Sequence, residues 1–266
     1  MNATSPRVVL ITGASSGIGQ ACARHLHERG YRVYGSSRHA PAAVAESGGG
    51  PCMIAMDVTC EASVQAAIAL IMAREGRLDV VVNNACYGIA GAVEDTRIDE
   101  AQAQLDTNFF GVLRVCRAVL PILRAQGGGY LVNVSSIGGL IAIPFQGLYS
   151  ASKFALEGLS ESLRAEVRPY GVRVVMIEPG DFRTGFTAER RCVAAAEQSP
   201  YQARHRAAQA VMEADETGGA SPDAIARLLE HIINTPSPRL RYLAGPFMQK
   251  FTVLVLKRLL PQSWFE

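Results

Sequence analysis

The chain has 266 residues, of which 48% are hydrophobic, and a formal net charge of +2. Its length and apolar share are sufficient for a large core and favour one α/β domain over residues 1–266. Because the charges are mixed along the sequence and form no basic stripe, we expect no nucleic-acid partner.

Short β-branched runs alternate with helical patterns along the chain. Residues 1–7 have no features of a signal peptide, so we expect a cytoplasmic protein. Six apolar runs predict strands at residues 8–11, 32–34, 53–55, 80–82, 130–134 and 173–177. Apolar residues at helical intervals predict helices at 17–28, 61–74, 102–126, 148–168 and 223–234. This alternation predicts a doubly wound Rossmann fold, with a mainly parallel sheet flanked by helices.

A glycine-spaced turn, Thr12-Gly13-Ala14-Ser15-Ser16-Gly17-Ile18-Gly19, follows the first predicted strand and leads directly into a helix. Glycines let the backbone approach a pyrophosphate, and the helix N-terminus favours its negative charge. The pattern therefore predicts a dinucleotide site formed by Gly13, Ser15, Ser16, Gly17, Ile18 and Gly19. An ordinary glycine-rich turn is the alternative.

Tyr149 and Lys153 lie four residues apart in the fourth predicted helix, on one face of it. A nearby ammonium group favours a phenolate, so we expect Lys153 to lower the pKa of Tyr149 from about 10 toward neutrality. The tyrosine would then serve as a proton donor or acceptor. By itself, such a pair also occurs on solvated helices without any function.

These motifs, together with others in the same order, resemble the short-chain dehydrogenase/reductase family over residues 8–243. The further motifs are Asp57-Val58, Asn83-Asn84-Ala85, Asn108, Ser135-Ser136, Pro179-Gly180 and Thr184. The resemblance implies an enzyme similar to NADP(H)-type carbonyl reductases and hydroxysteroid dehydrogenases, assembled as a homodimer or homotetramer. It also implies that a ketone or aldehyde is reduced to an alcohol, or the reverse.

The resemblance also implies individual roles. Ser136 binds the substrate oxygen, Tyr149 transfers the proton, and Lys153 lowers the pKa of Tyr149 and holds the nicotinamide ribose. Asn108 holds a water that links the lysine to solvent. The other cofactor-binding residues implied are Asp57, Val58, Asn84, Ala85, Pro179, Gly180 and Thr184. Structural roles remain open for three sites: Asp57 as a helix cap, Asn108 as a polar helix residue, and Pro179-Gly180 as a turn.

The end of the second strand indicates which nicotinamide cofactor is used. An acidic side chain there would bind the ribose hydroxyls and repel a 2′-phosphate. The acidic position of the family corresponds to Ser37, and Arg38 follows it with a guanidinium that can pair with phosphate. We therefore predict that NADP(H) is preferred over NAD(H). The alternative is a solvated surface arginine.

The sequence departs from the family pattern at Cys86, where glycine usually follows Asn-Asn-Ala. A cysteine there would cost about 1 kcal/mol if the backbone needed a positive φ, and nothing otherwise. We expect a tolerated substitution, and a reactive thiol is the alternative. The six cysteines are scattered, with no C-x-x-C pair, so we expect reduced thiols and no metal site.

Residues 182–219, called the flap below, are rich in charges and alanines without a strand pattern, and we expect short mobile helices beside the active site. The segment 137–145 is almost wholly apolar. With Phe182, Phe186 and Val193 on the flap, it favours a lipophilic ketone, aldehyde or secondary alcohol. The alternative is that these residues only pack the flap against the protein.

Residues 245–266 form an apolar and basic pattern that predicts an amphipathic tail. It could cover the active site, join an oligomer interface or contact a membrane surface, and no run is long enough to span a membrane. Two other functions remain open: an NADP(H)-binding regulatory protein without turnover, and an NAD(P)-dependent secondary-alcohol dehydrogenase.

Overall fold

The computed structural model describes residues 6–40 and 49–246. The strands are β1 (Val8–Ile11), β2 (Arg32–Ser37), β3 (Cys52–Ala55), β4 (Val80–Asn83), β5 (Ile89–Ala90), β6 (Gly129–Val134), β7 (Val172–Pro179), β8 (Arg191–Cys192) and β9 (Arg241–Ala244). The helices are α1 (Gly17–Glu28), α2 (Glu61–Glu75), α3 (Ile98–Leu105), α4 (Gly111–Ala125), α5 (Gly147–Val167), α6 (Phe186–Glu189), α7 (Gln202–Thr217) and α8 (Asp223–Ile233). The predicted tail lies almost entirely outside these residues.

Seven strands form one parallel sheet in the order β3-β2-β1-β4-β6-β7-β9. Helices α2, α4 and α5 pack on one face, and α1 and α8 pack on the other. Strands β1 and β4 are buried along their whole length, as expected for strands covered on both faces. The predicted doubly wound Rossmann fold is confirmed.

Two predicted elements differ from the structure. The sheet has a seventh strand, β9, whose half-buried sequence RYLA lacks the apolar run that identified the other strands. The helix predicted at 102–126 starts earlier, at Ile98, and is interrupted by one π-helical turn, Asp106–Phe110. That turn contains the buried Asn108, whose side-chain bonds to the backbone of Tyr87 stabilise the irregularity.

The flap is more regular than predicted. It contains α7, a helix of 16 residues, and the short strand β8, which pairs in parallel with β5. Two-residue strands such as β8 have no sequence pattern of their own, because their pairing depends on a distant partner. No helix in the described part of the chain has the length and apolar character needed to cross a membrane.

Strand order fixes the place of the site. Strand β1 pairs with β2 on one side and β4 on the other, so the connections leave its carboxyl end toward opposite sides of the sheet. In open α/β sheets, ligands bind in the crevice at such a switch point. The glycine-spaced turn follows β1 directly and therefore lies at this crevice.

Candidate active site

A cavity of about 410 Å³ lies at the carboxyl edge of the sheet. Most of the predicted site residues line it: Gly13, Ser15, Ser16, Gly17, Ile18, Arg38, Asp57, Val58, Asn84, Ala85, Ser136, Tyr149, Pro179, Gly180 and Thr184. Gly19, Asn108 and Lys153 lie behind the wall rather than on it. Motifs spread over more than 170 residues of sequence therefore meet at one cavity, where they supply 15 of its 35 lining residues.

The glycine-spaced turn has the backbone geometry that a phosphate cradle requires. Gly13 and Gly17 have φ values of 63° and 55°. A Cβ added to Gly13 would lie 2.8 Å from the Cα of Ala85. Helix α1 has no acidic residue in its first turn. These features fit the pyrophosphate of a dinucleotide, because the amides of the turn and the dipole of α1 favour an anion.

The Thr12 side chain joins this turn to the residues that follow β4, a role that was not predicted from the sequence. Its hydroxyl oxygen accepts hydrogen bonds from the backbone N–H groups of Asn84 and Ala85, each at 2.9 Å. The side-chain amide of Asn84 donates to the carbonyl oxygens of Thr12 and Gly13 at 2.9 and 3.0 Å. Asn84 thus lines the cavity, but its amide is committed to the turn. The threonine of the Thr-Gly motif is the sequence feature from which this role could have been predicted.

Arg38 is exposed and lines the cavity, and Asp57 lies on the wall near it. One Asp57 oxygen accepts hydrogen bonds from the amide and hydroxyl of Thr59, at 2.9 and 2.7 Å. Burial raises the pKa of Asp57, but these bonds and the charges of Arg38 and Arg114 outweigh it and leave the pKa lowered. Asp57 stabilises a turn and does not cap α2, whose N-cap is Cys60.

Ser136 and Tyr149 meet on the cavity wall. The Ser136 hydroxyl accepts a hydrogen bond from the Gly138 amide at 3.0 Å and is hydrogen-bonded to the Tyr149 hydroxyl. Tyr149 is buried, and burial, followed by the nearby Cys86, raises the pKa of its phenol. This direction contradicts the prediction that Lys153 lowers the tyrosine pKa. In the protein alone, Tyr149 is a protonated phenol at neutral pH.

Lys153 is fully buried, with its Nζ 5.7 Å from the centre of the Tyr149 ring. Its ammonium group donates to the carbonyl oxygen of Val134 at 2.9 Å. That bond anchors α5 to the end of β6 and explains why the lysine does not reach the phenol oxygen. Asn108 donates to the Ser152 hydroxyl at 3.1 Å, and Ser152 donates to the Tyr149 carbonyl oxygen at 2.7 Å. Asn108 therefore also braces the first turn of α5.

Cys86 carries no backbone strain, because Phe145 is the only residue other than glycine with a positive φ in the described ranges. The expectation of a tolerated substitution is consistent with this geometry. The thiol lines the cavity beside Tyr149. The described residues include no disulfide and no cluster of potential metal ligands.

The apolar flap residues divide into two groups. Phe182 and Phe186 line the cavity, and the Phe186 ring lies 5.7 Å from the Tyr149 ring. Val193 packs instead with Ile89 beneath the flap and contributes to a small separate core. Val193 therefore packs the flap against the protein, and Phe186 adds apolar surface to the cavity, while the buried Phe182 does both.

A buried ion pair on the flap was not predicted. Arg190, with 1% of its side chain exposed, donates from Nη2 to Oε1 of Glu216, which is 15% exposed and lines the cavity. The guanidinium lies 5.8 Å from the centre of the Phe186 ring. No local pattern could have identified this pair, because α7 folds back to bring residues 26 positions apart together.

Comparison with known proteins agrees with this geometry. A family profile described as short chain dehydrogenase matches residues 7–193. The 3-ketodihydrosphingosine reductase of Bacteroides thetaiotaomicron is 42% identical over 92% of this chain and 90% of its own.

Two solved structures are also similar. A short-chain dehydrogenase from Streptomyces avermitilis superposes with a TM-score of 0.85 at 34% identity, over 97% of this chain and 94% of its own. An alcohol dehydrogenase from Thermococcus sibiricus, complexed with 5-hydroxy-NADP, has a TM-score of 0.72 at 26% identity, over 91% of this chain and 97% of its own.

Proposed function

The chain belongs to the short-chain dehydrogenase family, and we propose that it is an NADPH-dependent reductase of long-chain ketones. Family membership makes it an oxidoreductase with a nicotinamide cofactor. The reduction of a carbonyl is supported mainly by one observation: a protonated, buried Tyr149 bonded to Ser136 stands on the wall of a cavity with an apolar side. A protonated phenol is the form that a carbonyl reduction requires.

Three residues of this chain have separate roles in the proposed reaction. A bound nicotinamide dinucleotide supplies or accepts a hydride. Ser136 and Tyr149 hold the carbonyl oxygen by hydrogen bonds, which strengthen as negative charge develops on that oxygen. Tyr149 then donates its proton and completes the alcohol. Lys153 contributes a buried positive charge 5.7 Å from the tyrosine ring, which favours the phenolate left behind.

The preference for NADPH rests on Arg38 and Ser37. Both line the cavity at its adenosine end, and no carboxylate stands at the Ser37 position to repel a 2′-phosphate. An exposed guanidinium loses little hydration when it pairs with phosphate, and the pair can form two parallel hydrogen bonds. His39 lines the same end and adds a second hydrogen-bonding group.

The long-chain ketone is supported by the cavity wall and by the relative. Ile143, Phe186 and Met212 give the substrate side an apolar surface. The Bacteroides relative is named for 3-ketodihydrosphingosine, a ketone with a long alkyl chain. Among lipophilic carbonyls, this compound is therefore the first to assay.

The deciding experiment follows NADPH absorbance with purified protein and a panel that contains 3-ketodihydrosphingosine, a steroid ketone, an acyl thioester ketone and a short aldehyde. We expect the long-chain ketone to give the highest kcat/KM, and NADPH to be used in preference to NADH. Binding of NADPH without its oxidation by any carbonyl would instead support a regulatory protein. Faster turnover of secondary alcohols with NADP+ would support the oxidative alternative.

We also propose a homodimer or homotetramer in the cytoplasm. Phe110 and Phe154 are 45% and 43% exposed, on the π-helical turn before α4 and on α5 respectively. Large exposed aromatic residues on two neighbouring elements are typical of a protein interface. Light scattering of the purified protein, compared with a Phe154→Asp variant, tests this: the variant should have the lower mass.

A further inference from the structure

The charged residues on the flap side of the cavity are predominantly acidic. Asp181, Glu189 and Glu216 line it there together with a single arginine, Arg191. The guanidinium of Arg191 lies 4.8 Å from the centre of the Tyr87 ring. An apolar ketone alone gives no reason for this acidic wall. A substrate that carries a positive charge does, because the wall would attract it.

Glu216 differs from the other two carboxylates in its setting. Its partner, Arg190, is buried behind it and does not line the cavity, so the cavity faces the carboxylate rather than the guanidinium. Glu189, by contrast, is exposed. Burial is the main cause of the raised pKa of Tyr149, and the charges of Glu216 and Arg190 act on that pKa in opposite directions. The Arg190 guanidinium and the Tyr149 ring both lie beside the Phe186 ring, at 5.8 and 5.7 Å from its centre, so the ion pair is next to the reacting tyrosine.

The ion pair is a poor candidate for a purely stabilising contact. Nε and Nη1 of Arg190 have no hydrogen-bond partner within the described part of the chain. A buried guanidinium with two unsatisfied nitrogen donors costs stability, and replacing such pairs by apolar residues is often neutral or stabilising. A role in holding Glu216 at the cavity wall accounts for its presence.

We propose that Glu216 binds the ammonium group of an amino ketone and that Arg190 positions Glu216 for this contact. The inference rests on the proposed function, since the amine must lie near the carbonyl that Tyr149 protonates. In 3-ketodihydrosphingosine, the amine is on the carbon next to the ketone. A carboxylate close to Tyr149 is placed to receive such a group while the alkyl chain lies along the apolar wall.

The test compares two substrates on each enzyme preparation: 3-ketodihydrosphingosine and the same hydroxy ketone without its amine. The quantity measured is the ratio of their kcat/KM values with NADPH. A charge-assisted hydrogen bond to a buried carboxylate contributes a factor of about 10–100, so the wild type should favour the amine by that factor. Glu216→Gln should remove most of the preference.

The matched control is Glu213→Gln, the same chemical change one turn earlier on α7. Glu213 lines an adjoining open cavity and does not line the catalytic one. This variant should keep the wild-type ratio. Because both substrates are assayed on one preparation, partial unfolding of Glu216→Gln lowers both rates and leaves the ratio unchanged.

The outcomes separate the inference from the proposed function. An unchanged ratio in Glu216→Gln, or a wild type without preference for the amine, would refute the role of Glu216 and leave the long-chain ketone reductase standing. A wild type that reduces neither compound would refute the proposed function, and the inference with it. A ratio lowered in Glu216→Gln and not in Glu213→Gln supports the inference.

Discussion

The glycine-spaced turn and the flap face each other across one cavity, but different kinds of contact hold them. The turn is fixed by short-range backbone geometry and by Thr12 and Asn84, which bond to main-chain groups. The flap has one short backbone pairing, β8 with β5, and is otherwise held mainly by side chains. Examples are the Arg190–Glu216 pair and the bond from the Tyr201 hydroxyl to Glu94, at 2.9 Å.

Because of this difference, the two regions suit different tasks in ligand binding. Backbone contacts with a pyrophosphate are insensitive to the rest of the ligand, so the turn suits a cofactor shared by many enzymes. Side-chain contacts change with single substitutions, so the flap suits the choice of substrate. Tyr149 lies where the two regions meet, with Ser136 on one side and Phe186 on the other.

The largest effect is expected where the two regions meet. Tyr149→Phe removes the proton donor and keeps the ring that packs against Phe186. We expect kcat for ketone reduction to fall by about 10²–10⁴-fold, the usual contribution of a general acid, with little change in NADPH affinity. Stopped-flow assays and fluorescence titration with NADPH measure the two quantities. Wild-type turnover in the variant would exclude Tyr149 as the proton donor.

A second substitution tests the cofactor side alone. Arg38→Asp replaces a cation by an anion at the adenosine end of the cavity and should shift the NADPH/NADH ratio of kcat/KM toward NADH by about 10–100-fold. Arg74→Asp makes the same charge change at an exposed position of α2 and should leave the ratio unaltered. A wild type equally efficient with NADH would contradict the assignment of Arg38.

A third substitution tests the turn through its backbone. Gly13→Ala places a methyl group against Ala85 at a positive φ, so the turn must shift, and we expect the Kd for NADPH to rise about 10-fold. Gly30→Ala is the matched control: its φ is 85°, but a Cβ there meets nothing within 4 Å. The control should lower the melting temperature slightly and leave the Kd alone. Equal Kd values in all three proteins would argue against a phosphate cradle at Gly13.

The sequence was sufficient for the elements whose signal is local. Both β1 and α1 were predicted to the residue, because four consecutive apolar residues and a helical pattern flank a glycine turn. The cofactor-binding residues were predicted from the order of the motifs along the chain, and most of them line the cavity. The family and the fold that this order implied are confirmed.

The elements that were missed depend on distant partners. Strand β9 is defined by its pairing with β7, and the π-helical turn by the bonds from Asn108 to the backbone of Tyr87. The pKa of Tyr149 was predicted in the wrong direction because burial outweighs a cation that bonds elsewhere. Helical spacing shows which side chains share a face, but it does not show how deeply a group is buried or which acceptor a lysine reaches.

A fourth substitution tests stability rather than activity, at Glu178, in β7 just before the cavity residues Pro179 and Gly180. Glu178 is buried opposite Glu157 of α5, while Arg241 of β9 lies 3.5 Å away. Burial, with the charge of Glu157 added and that of Arg241 opposing, raises the pKa of Glu178 to about 7 from an ordinary value of 4.5. The folded protein therefore holds this proton more tightly than the unfolded chain does.

This contribution to stability is fully present below about pH 4.5 and is lost as pH rises through about 7. Glu178→Gln keeps the shape and cannot ionise, so it should gain about 1–2 kcal/mol of unfolding free energy over the wild type on going from pH 5 to pH 8.5. Denaturant melts at both pH values measure the difference. A difference in unfolding free energy between variant and wild type that does not change with pH would mean that Arg241 keeps the Glu178 carboxylate ionised throughout. In that case β9 contributes a charge, as well as a strand, beside the strand that leads into the cavity.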